Sequence, residues 1–178
     1  MSGPDRTPDA GAGPSPAASR PGREPRGGAA WQPWAALALF AFLLNFVWEM
    51  LQAPFYRGMA DGAHWRAVRA CTLATVGDVA ILLVAYSGVA AFVRDRWWVG
   101  APSAGRVGGF LAVGVAITVA LEALNVYVLG RWTYGPLMPV LAGVGLTPVA
   151  QWLALPPATL WLARRHLSGA PGRRSPAN

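Results

Sequence analysis

The chain has 178 residues, of which 54% are hydrophobic and only 13% are charged, and its mean hydropathy is +0.35. This balance is too apolar for a soluble domain of this size and indicates a membrane protein. The net charge of +7 comes from Arg alone, since the sequence contains no Lys. Because most Arg residues lie in tails and loops, the charge indicates contact with membrane lipids and excludes nucleic acid as the expected partner. The Arg, Gly and Pro usage is typical of a GC-rich bacterial genome.

Several cofactor classes are excluded by missing residues. Without Lys, the chain cannot form a Schiff base with retinal or pyridoxal phosphate. Cys71 is the only Cys, and His64 and His166 are the only His residues, so neither a thiolate cluster nor a histidine-rich di-iron site can form. No motif for haem, flavin or a nicotinamide dinucleotide is present. A divalent cation such as magnesium stays open, because carboxylate and amide oxygens suit it, but no residue is assigned as a metal ligand.

The hydropathy pattern predicts an all-α integral membrane bundle of four transmembrane helices. Residues 1–30 are rich in Pro, Gly, Ala and Arg and predict a disordered tail, and residues 167–178 predict a second one. Between them, residues 31–166 form the expected four-span domain. Its apolar segments, each near the roughly 20 residues that a spanning helix needs, are about 33–54, 68–93, 107–129 and 138–163.

The Arg distribution predicts the orientation. Of the 15 Arg residues, 11 lie in the two tails and the second loop, and four lie in the first and third loops. The positive-inside rule then places both termini in the cytoplasm and the chain in the inner membrane as a multi-pass protein. Pro148, Pro156 and Pro157 predict that the fourth helix is kinked or broken, since proline removes a backbone donor.

One stretch, Leu44 to Tyr56, carries the most informative polar pattern. Asn45, Glu49 and Gln52 are spaced four and three residues apart, which places them on one face of a helix. Such side chains are costly in hydrocarbon and are tolerated only against protein or water. This face of the first helix is therefore expected to line the interior of the bundle.

Each of the other spans also carries polar residues. With a rise of about 1.5 Å per residue, they all fall between the midplane and the outer end of the bundle. We therefore expect one shared cavity there, with Arg131 as a counter-charge at its roof. Acid–base chemistry on a lipid or isoprenoid substrate is the first functional hypothesis, with Glu49, Asp78 and Glu122 as catalytic residues. The expected substrate-binding residues are Asn45, Trp48, Gln52, Thr75, Asn125, Arg131, Trp132, Tyr134, Gln151 and Trp152.

Two other classes of function stay open. Carboxylates at mid-depth and a proline-broken helix are also typical of a small ion-coupled transporter, which would need a homo-oligomer because four helices enclose little volume. Alternatively, the polar face could bind another membrane protein in a non-catalytic assembly. In a purely structural interpretation, the same residues would only join helices by hydrogen bonds, and Cys71 would be a small apolar residue.

Two sequence similarities are short. Glu122 through Pro148, with Arg131-Trp132-Thr133-Tyr134 and Met138-Pro139, resembles the layout of a Glu, an aromatic pair and a Pro in small carotenoid-modifying membrane proteins of the lycopene cyclase and hydratase types. The resemblance covers one span and a loop, and no site residue is carried over from it. Separately, Leu44-Asn45-Phe46 is similar to Leu124-Asn125-Val126, which a duplicated hairpin or, more simply, chance explains.

Overall fold

Four helices make up most of the chain in the computed structural model, which describes residues 29–59 and 63–169. The expected all-α class is confirmed to the extent that the protein is mostly helical with four helices. A 3₁₀ turn follows α1, and a π-helical turn continues α3. The helices are α1 (Gln32–Gln52), α2 (His64–Phe92), α3 (Ala104–Ala123) and α4 (Leu146–Gly169), and the two turns are Ala53–Phe55 and Leu124–Val128.

Within residues 29–59 and 63–169, three segments are long and apolar enough to cross a membrane. They are α1 with its 3₁₀ turn, α2, and α3 with its π turn, at 24, 29 and 25 residues. Large apolar side chains such as Leu43, Val84 and Val113 are exposed on their outer surfaces. Helix α4 has 24 residues but is not among the three, because its prolines and Gln151 lower its mean hydropathy. Length and composition therefore do not establish α4 as a fourth span.

The predicted fourth segment is wrong at its beginning, and of the two predicted effects of its prolines, a kink or a break, the break does not occur. It was expected from residue 138, but β1 (Val140–Leu141) and β2 (Val144–Gly145) form a hairpin there and α4 begins only at Leu146. Helix α4 then continues through its internal prolines to Gly169, inside the predicted carboxyl-terminal tail. Pro148 lies in the first helical turn, where a missing N–H costs nothing. The predicted amino-terminal tail lies almost wholly outside the described residues.

The four helices pack as a ring in which α1 and α3 each contact both α2 and α4. The end of the ring where α1 begins and α4 ends is filled by an apolar cluster. In it, Trp98 stacks on Tyr86 with ring centroids 4.9 Å apart and meets Phe110 edge-on at 5.8 Å. This packing leaves the opposite end, where the α1–α2 and α3–α4 connections lie, as the place for a cavity.

The two helical hairpins, α1–α2 and α3–α4, repeat one pattern. Glu49 and Asp78 are 29 positions apart, and so are Glu122 and Gln151. The five residues buried on α3 and its π turn match buried positions of α1 in order; they are Phe110, Gly114, Thr118, Glu122 and Asn125 against Leu37, Ala41, Asn45, Glu49 and Gln52. The shared register pairs Asn45 with Thr118, not with Asn125 as the short sequence similarity suggested. The pattern indicates an internally repeated hairpin.

Two connections close over the loop end of the bundle. The segment after α1 pairs with the α3–α4 connection, since Arg57 N donates to Thr133 O at 3.0 Å and Gly135 N donates to Phe55 O at 2.7 Å. A Cβ atom on Gly135 would lie 2.9 Å from Phe55 O, so only glycine allows this approach. The paired connections place Tyr56 and Tyr134 side by side above the helices.

Candidate functional site

A cavity of about 520 Å³ lies at the loop end of the bundle and is bounded by all four helices. This volume is in the range of small-molecule binding sites. Acidic and amide side chains form one part of its wall and small or apolar side chains of α2 and α3 form another. The polar lining residues are Glu49, Gln52, Tyr56, Asp78, Thr118, Glu122, Asn125, Arg131, Trp132 and Gln151.

Two carboxyl groups in the wall form a pair. Glu49 on α1 and Asp78 on α2 lie within hydrogen-bonding reach of each other. A hydrogen bond between two carboxyl groups needs a proton on one of them, because an ionised carboxylate can only accept. Glu49 also accepts from Gln52 Nε2 at 2.5 Å. The pair can therefore hold one proton at the cavity wall.

Gln151 joins three helices beside this pair. Its Nε2 donates to Asn45 Oδ1 at 2.7 Å and to Asp78 Oδ2 at 2.8 Å. Its Oε1 accepts from Gln52 Nε2 at 3.4 Å. The amide is buried, so these bonds fix the positions of Asp78 and Gln52 and close the α1–α4 side of the cavity.

The third carboxyl group, that of Glu122, faces a different set of partners. Its Oε1 accepts from the Tyr56 hydroxyl and from Trp132 Nε1, each at 3.3 Å. The Tyr134 hydroxyl is also within hydrogen-bonding reach of it, and that hydroxyl accepts from Gly145 N at 2.9 Å. Neutral donors that converge on one carboxylate stabilise its charge.

The hydroxyl groups of Tyr56 and Tyr134 are neutral hydrogen-bond donors next to Glu122. Burial, together with the negative charges of Glu122 and Glu49, raises the pKa of Tyr56. Burial is also the largest cause that raises the pKa of Tyr134 to about 12, and the charge of Glu122 adds to it. The two hydroxyl groups therefore keep their protons at physiological pH and can donate to Glu122.

Helix α3 contributes two polar atoms without a partner. Among the described residues, neither Thr118 Oγ1 nor Asn125 Oδ1 has a hydrogen-bond partner, although both are buried. Asn125 lies in the π turn, and its Nδ2 donates to Leu121 O at 2.7 Å. Such turns occur often at functional sites. These two atoms form the least satisfied part of the cavity wall.

The structure places eight of the thirteen residues predicted for the site in the cavity wall and leaves five outside it. Trp48 donates from Nε1 to Gln52 Oε1 at 3.0 Å and faces a shallow groove beside Leu146. Thr75 is fully buried within the bundle, and Trp152 packs in the apolar cluster.

The other two residues outside the lining contact it indirectly. Asn45 Oδ1 accepts from the lining residue Gln151, and the Tyr134 hydroxyl accepts from Gly145 N.

Arg131 differs from its expected role as counter-charge. Its side chain is exposed at the rim of the cavity. Within the described ranges it forms no ion pair with Glu49, Asp78 or Glu122, and its backbone N donates to Asn125 O at 2.9 Å. The charges of the wall are stabilised by neutral donors instead.

Most of the lining residues that were not predicted are apolar, but Tyr56, Thr118 and Cys71 bring a hydroxyl or a thiol group to the wall. Tyr56 lies seven residues after Glu49, and Thr118 lies four residues before Glu122, so helical spacing was the available signal for both. Cys71 was read as a small apolar residue, but it lines the cavity, and its Sγ donates to Glu49 O at 3.4 Å. No sequence signal indicated that contact.

Among the residues that the structure describes, no group of three or more His, Cys, Asp or Glu side chains could hold a metal ion. In comparisons with known proteins, no family model, no curated protein and no solved structure matches this chain.

Proposed function

We propose that this protein is a multi-pass protein of the inner membrane that performs acid–base chemistry on a lipid or isoprenoid substrate. In this proposal all four helices cross the membrane, both termini lie in the cytoplasm and the cavity opens in the outer half of the bilayer. The observation that carries it is the convergence of Glu49, Asp78 and Glu122 on one cavity. Three carboxyl groups around one cavity are costly in an apolar medium, and such residues mark functional sites in membrane proteins.

The different partners of the carboxyl groups supply two different roles. The Glu49–Asp78 pair holds a proton and serves as the general acid, whereas Glu122, surrounded by neutral donors, serves as the base. In an isomerisation, the pair protonates the first carbon of a double bond, which leaves a cation on the second carbon. Glu122 then removes a proton from the carbon on the far side of the cation, so the double bond moves along the chain. The proton then returns from Glu122 to the pair. The substrate gains and loses one proton, so no redox partner is needed.

The packing of the other end favours this role over transport. Below the cavity, the apolar cluster around Trp98, Phe110 and Trp152 fills the bundle. A transport pathway must reach both sides of the membrane, whereas an enzyme that takes its substrate from the bilayer needs only one opening. A site that is open at one end therefore supports catalysis better than ion-coupled flux.

The test is a comparison of lipid extracts from cells that express the full chain or a variant. Glu49→Gln, Asp78→Asn and Glu122→Gln should each abolish the change in lipid profile that the wild type causes. The matched control is Asp95→Asn, because Asp95 lies at the opposite end of the bundle, where it pairs with Arg106 at 3.6 Å. If the three cavity variants produce the same lipid profile as the wild type, the carboxyl groups have no catalytic role.

A further inference from the structure

The α2–α3 seam is the line along which these two helices meet beside the cavity. Two buried atoms there lack the partners that a protein interior normally provides. Thr118 is 9% exposed and Asn125 is 7% exposed, both line the cavity, and neither Thr118 Oγ1 nor Asn125 Oδ1 is hydrogen-bonded to any described residue. The large majority of buried polar atoms are paired in native structures. Thr75 and Thr159 also have unpartnered hydroxyl groups among the described residues, but only Thr118 and Asn125 belong to the cavity wall, where a ligand can supply the missing partner.

The repeated hairpin shows what this seam lacks. On α1, the counterparts of Thr118 and Asn125 are Asn45 and Gln52, and Gln151 bonds to both of them. The counterpart of Gln151 is Asp78, whose carboxyl group is directed to Gln151 and Glu49 instead of to α3. The α1–α4 seam is thus closed by an amide, and the α2–α3 seam has no equivalent group.

The same seam connects the cavity with the outer surface of the bundle. Leu73 on α2 is 63% exposed and Leu121 on α3 is 39% exposed, and both line the cavity. On α2, the lining residues Ala70, Ala74 and Gly77 present little side-chain volume, and a Cβ atom on Gly77 would meet nothing within 4 Å. An apolar chain can lie in this gap with one end in the cavity.

The wall chemistry restricts the head group of such a ligand. Glu49, Asp78 and Glu122 already accept bonds from neutral donors, and together they repel an anion. The groups that remain unpaired, a hydroxyl and an amide oxygen, are neutral. They lie seven residues apart on one helix, which is about 10 Å along its axis. An ammonium group only donates, so it would leave the Thr118 hydroxyl hydrogen without an acceptor, whereas a hydroxyl group both donates and accepts. The head group that serves both atoms is therefore a neutral one with at least two hydrogen-bonding atoms.

We propose that the α2–α3 seam binds a neutral single-chain lipid with a hydroxyl-bearing head group. The head group hydrogen-bonds to Thr118 and Asn125, and the chain passes between Leu73 and Leu121 into the bilayer. This inference rests on the proposed function, for which it names the substrate class and the route of entry.

The test uses the full chain purified in detergent, with bound lipid measured by native mass spectrometry. Four probes with the same length and unsaturation of hydrocarbon chain are compared: monoolein, methyl oleate, oleic acid and oleylamine. Monoolein should be retained about tenfold more than each of the others, which corresponds to about one hydrogen bond. Equal retention of methyl oleate, or stronger retention of oleic acid or oleylamine, would overturn the proposal without any variant being made.

Variants then locate the site. Thr118→Val and Asn125→Leu should each lower monoolein retention about tenfold, towards the level of methyl oleate. The control is Thr159→Val, since Thr159 Oγ1 is equally buried and unpartnered among the described residues but lies outside the cavity. Full retention by both seam variants would overturn the assignment. Selective binding together with an unchanged lipid profile in Glu49→Gln and Glu122→Gln would refute catalysis and leave this subsite standing.

Discussion

Asp78 on α2 and Gln151 on α4 are joined by a hydrogen bond of 2.8 Å, and they occupy equivalent positions in the two helical hairpins. The repeat therefore places an acid in one half and an amide in the other, in contact with each other. The amide supplies the donor that Asp78 needs, and Asp78 in turn forms the carboxyl pair with Glu49. Because of this difference, one half of the repeat contributes the carboxyl pair of Glu49 and Asp78 to the cavity wall. The other half contributes the Gln151 amide, which closes the α1–α4 side.

Replacement of Gln151 by Leu should destabilise the protein. It removes the donor to Asn45 Oδ1 and Asp78 Oδ2 and leaves one buried and one half-buried oxygen short of a partner. Each such loss costs about 1–3 kcal/mol, so we expect the free energy of unfolding to fall by roughly 2–4 kcal/mol. Denaturation of the detergent-solubilised protein, followed by Trp fluorescence, measures the change.

Thr159→Val is the control for that experiment. Its hydroxyl is buried and unpartnered within the described part of the chain, so its removal should change the free energy of unfolding by less than about 1 kcal/mol. If the two variants lose equal stability, the hydrogen bonds of Gln151 contribute nothing specific.

The cavity could be predicted from the sequence because helical geometry is local. The spacing of Asn45, Glu49 and Gln52 fixes their common face, and the rise per residue fixes the depth of Asp78 and Glu122. These arguments need no knowledge of which helices are neighbours. The later start of α4 escaped them because Ala142 and Gly143, with φ of 51° and 82°, form a tight hairpin turn inside an apolar run.

Contacts between distant segments could not be predicted in this way. Trp152 follows Gln151 directly, but the next residue of a helix points about 100° away, and here it meets Gly114 on α3. Tyr56 reaches Glu122 only because the connection after α1 pairs with the α3–α4 connection. Both results depend on long-range packing, for which the sequence carries no periodic signal.

Gly114→Ala should lower stability through the Trp152 contact. A Cβ atom at this position would lie 1.8 Å from Trp152 Cζ3, and the ring is 3% exposed, so neighbouring groups must move with it. Overpacking of this kind costs about 1–3 kcal/mol. A fall in the denaturation midpoint, with a change in Trp emission, is the expected result.

The matched control on the same helix is Gly108→Ala, where an added Cβ atom would meet nothing within 4 Å. There, the higher helix propensity of Ala should leave stability equal or raise it by up to about 1 kcal/mol. Destabilisation of both variants to the same extent would mean that the close contact at Gly114 is not the cause.

The number of spans can be measured with reporters fused to the chain termini. If α4 crosses the membrane as we propose, green fluorescent protein should fluoresce at both the amino and the carboxyl end, since it matures in the cytoplasm. Alkaline phosphatase at either end should be inactive. A reporter inserted at Gly130, in the exposed connection after α3, should give the opposite result. Termini on opposite sides would limit the protein to an odd number of spans.

Tyr134→Phe should reduce the lipid conversion that we propose. Its hydroxyl accepts from Gly145 N and lies within reach of Glu122, so the variant removes a donor available to the base and leaves a backbone N–H without its acceptor. We expect a fall of about tenfold or more in the rate of conversion, in line with the loss of one hydrogen bond to a charged group. Because the pKa of Tyr134 is raised to about 12, the reduction should be constant from about pH 6 to about pH 9.

The control is Tyr127→Phe, whose hydroxyl donates to Gly143 O in the same hairpin but does not reach Glu122. Equal losses in both variants would show that the hairpin, and not the bond to Glu122, determines the rate.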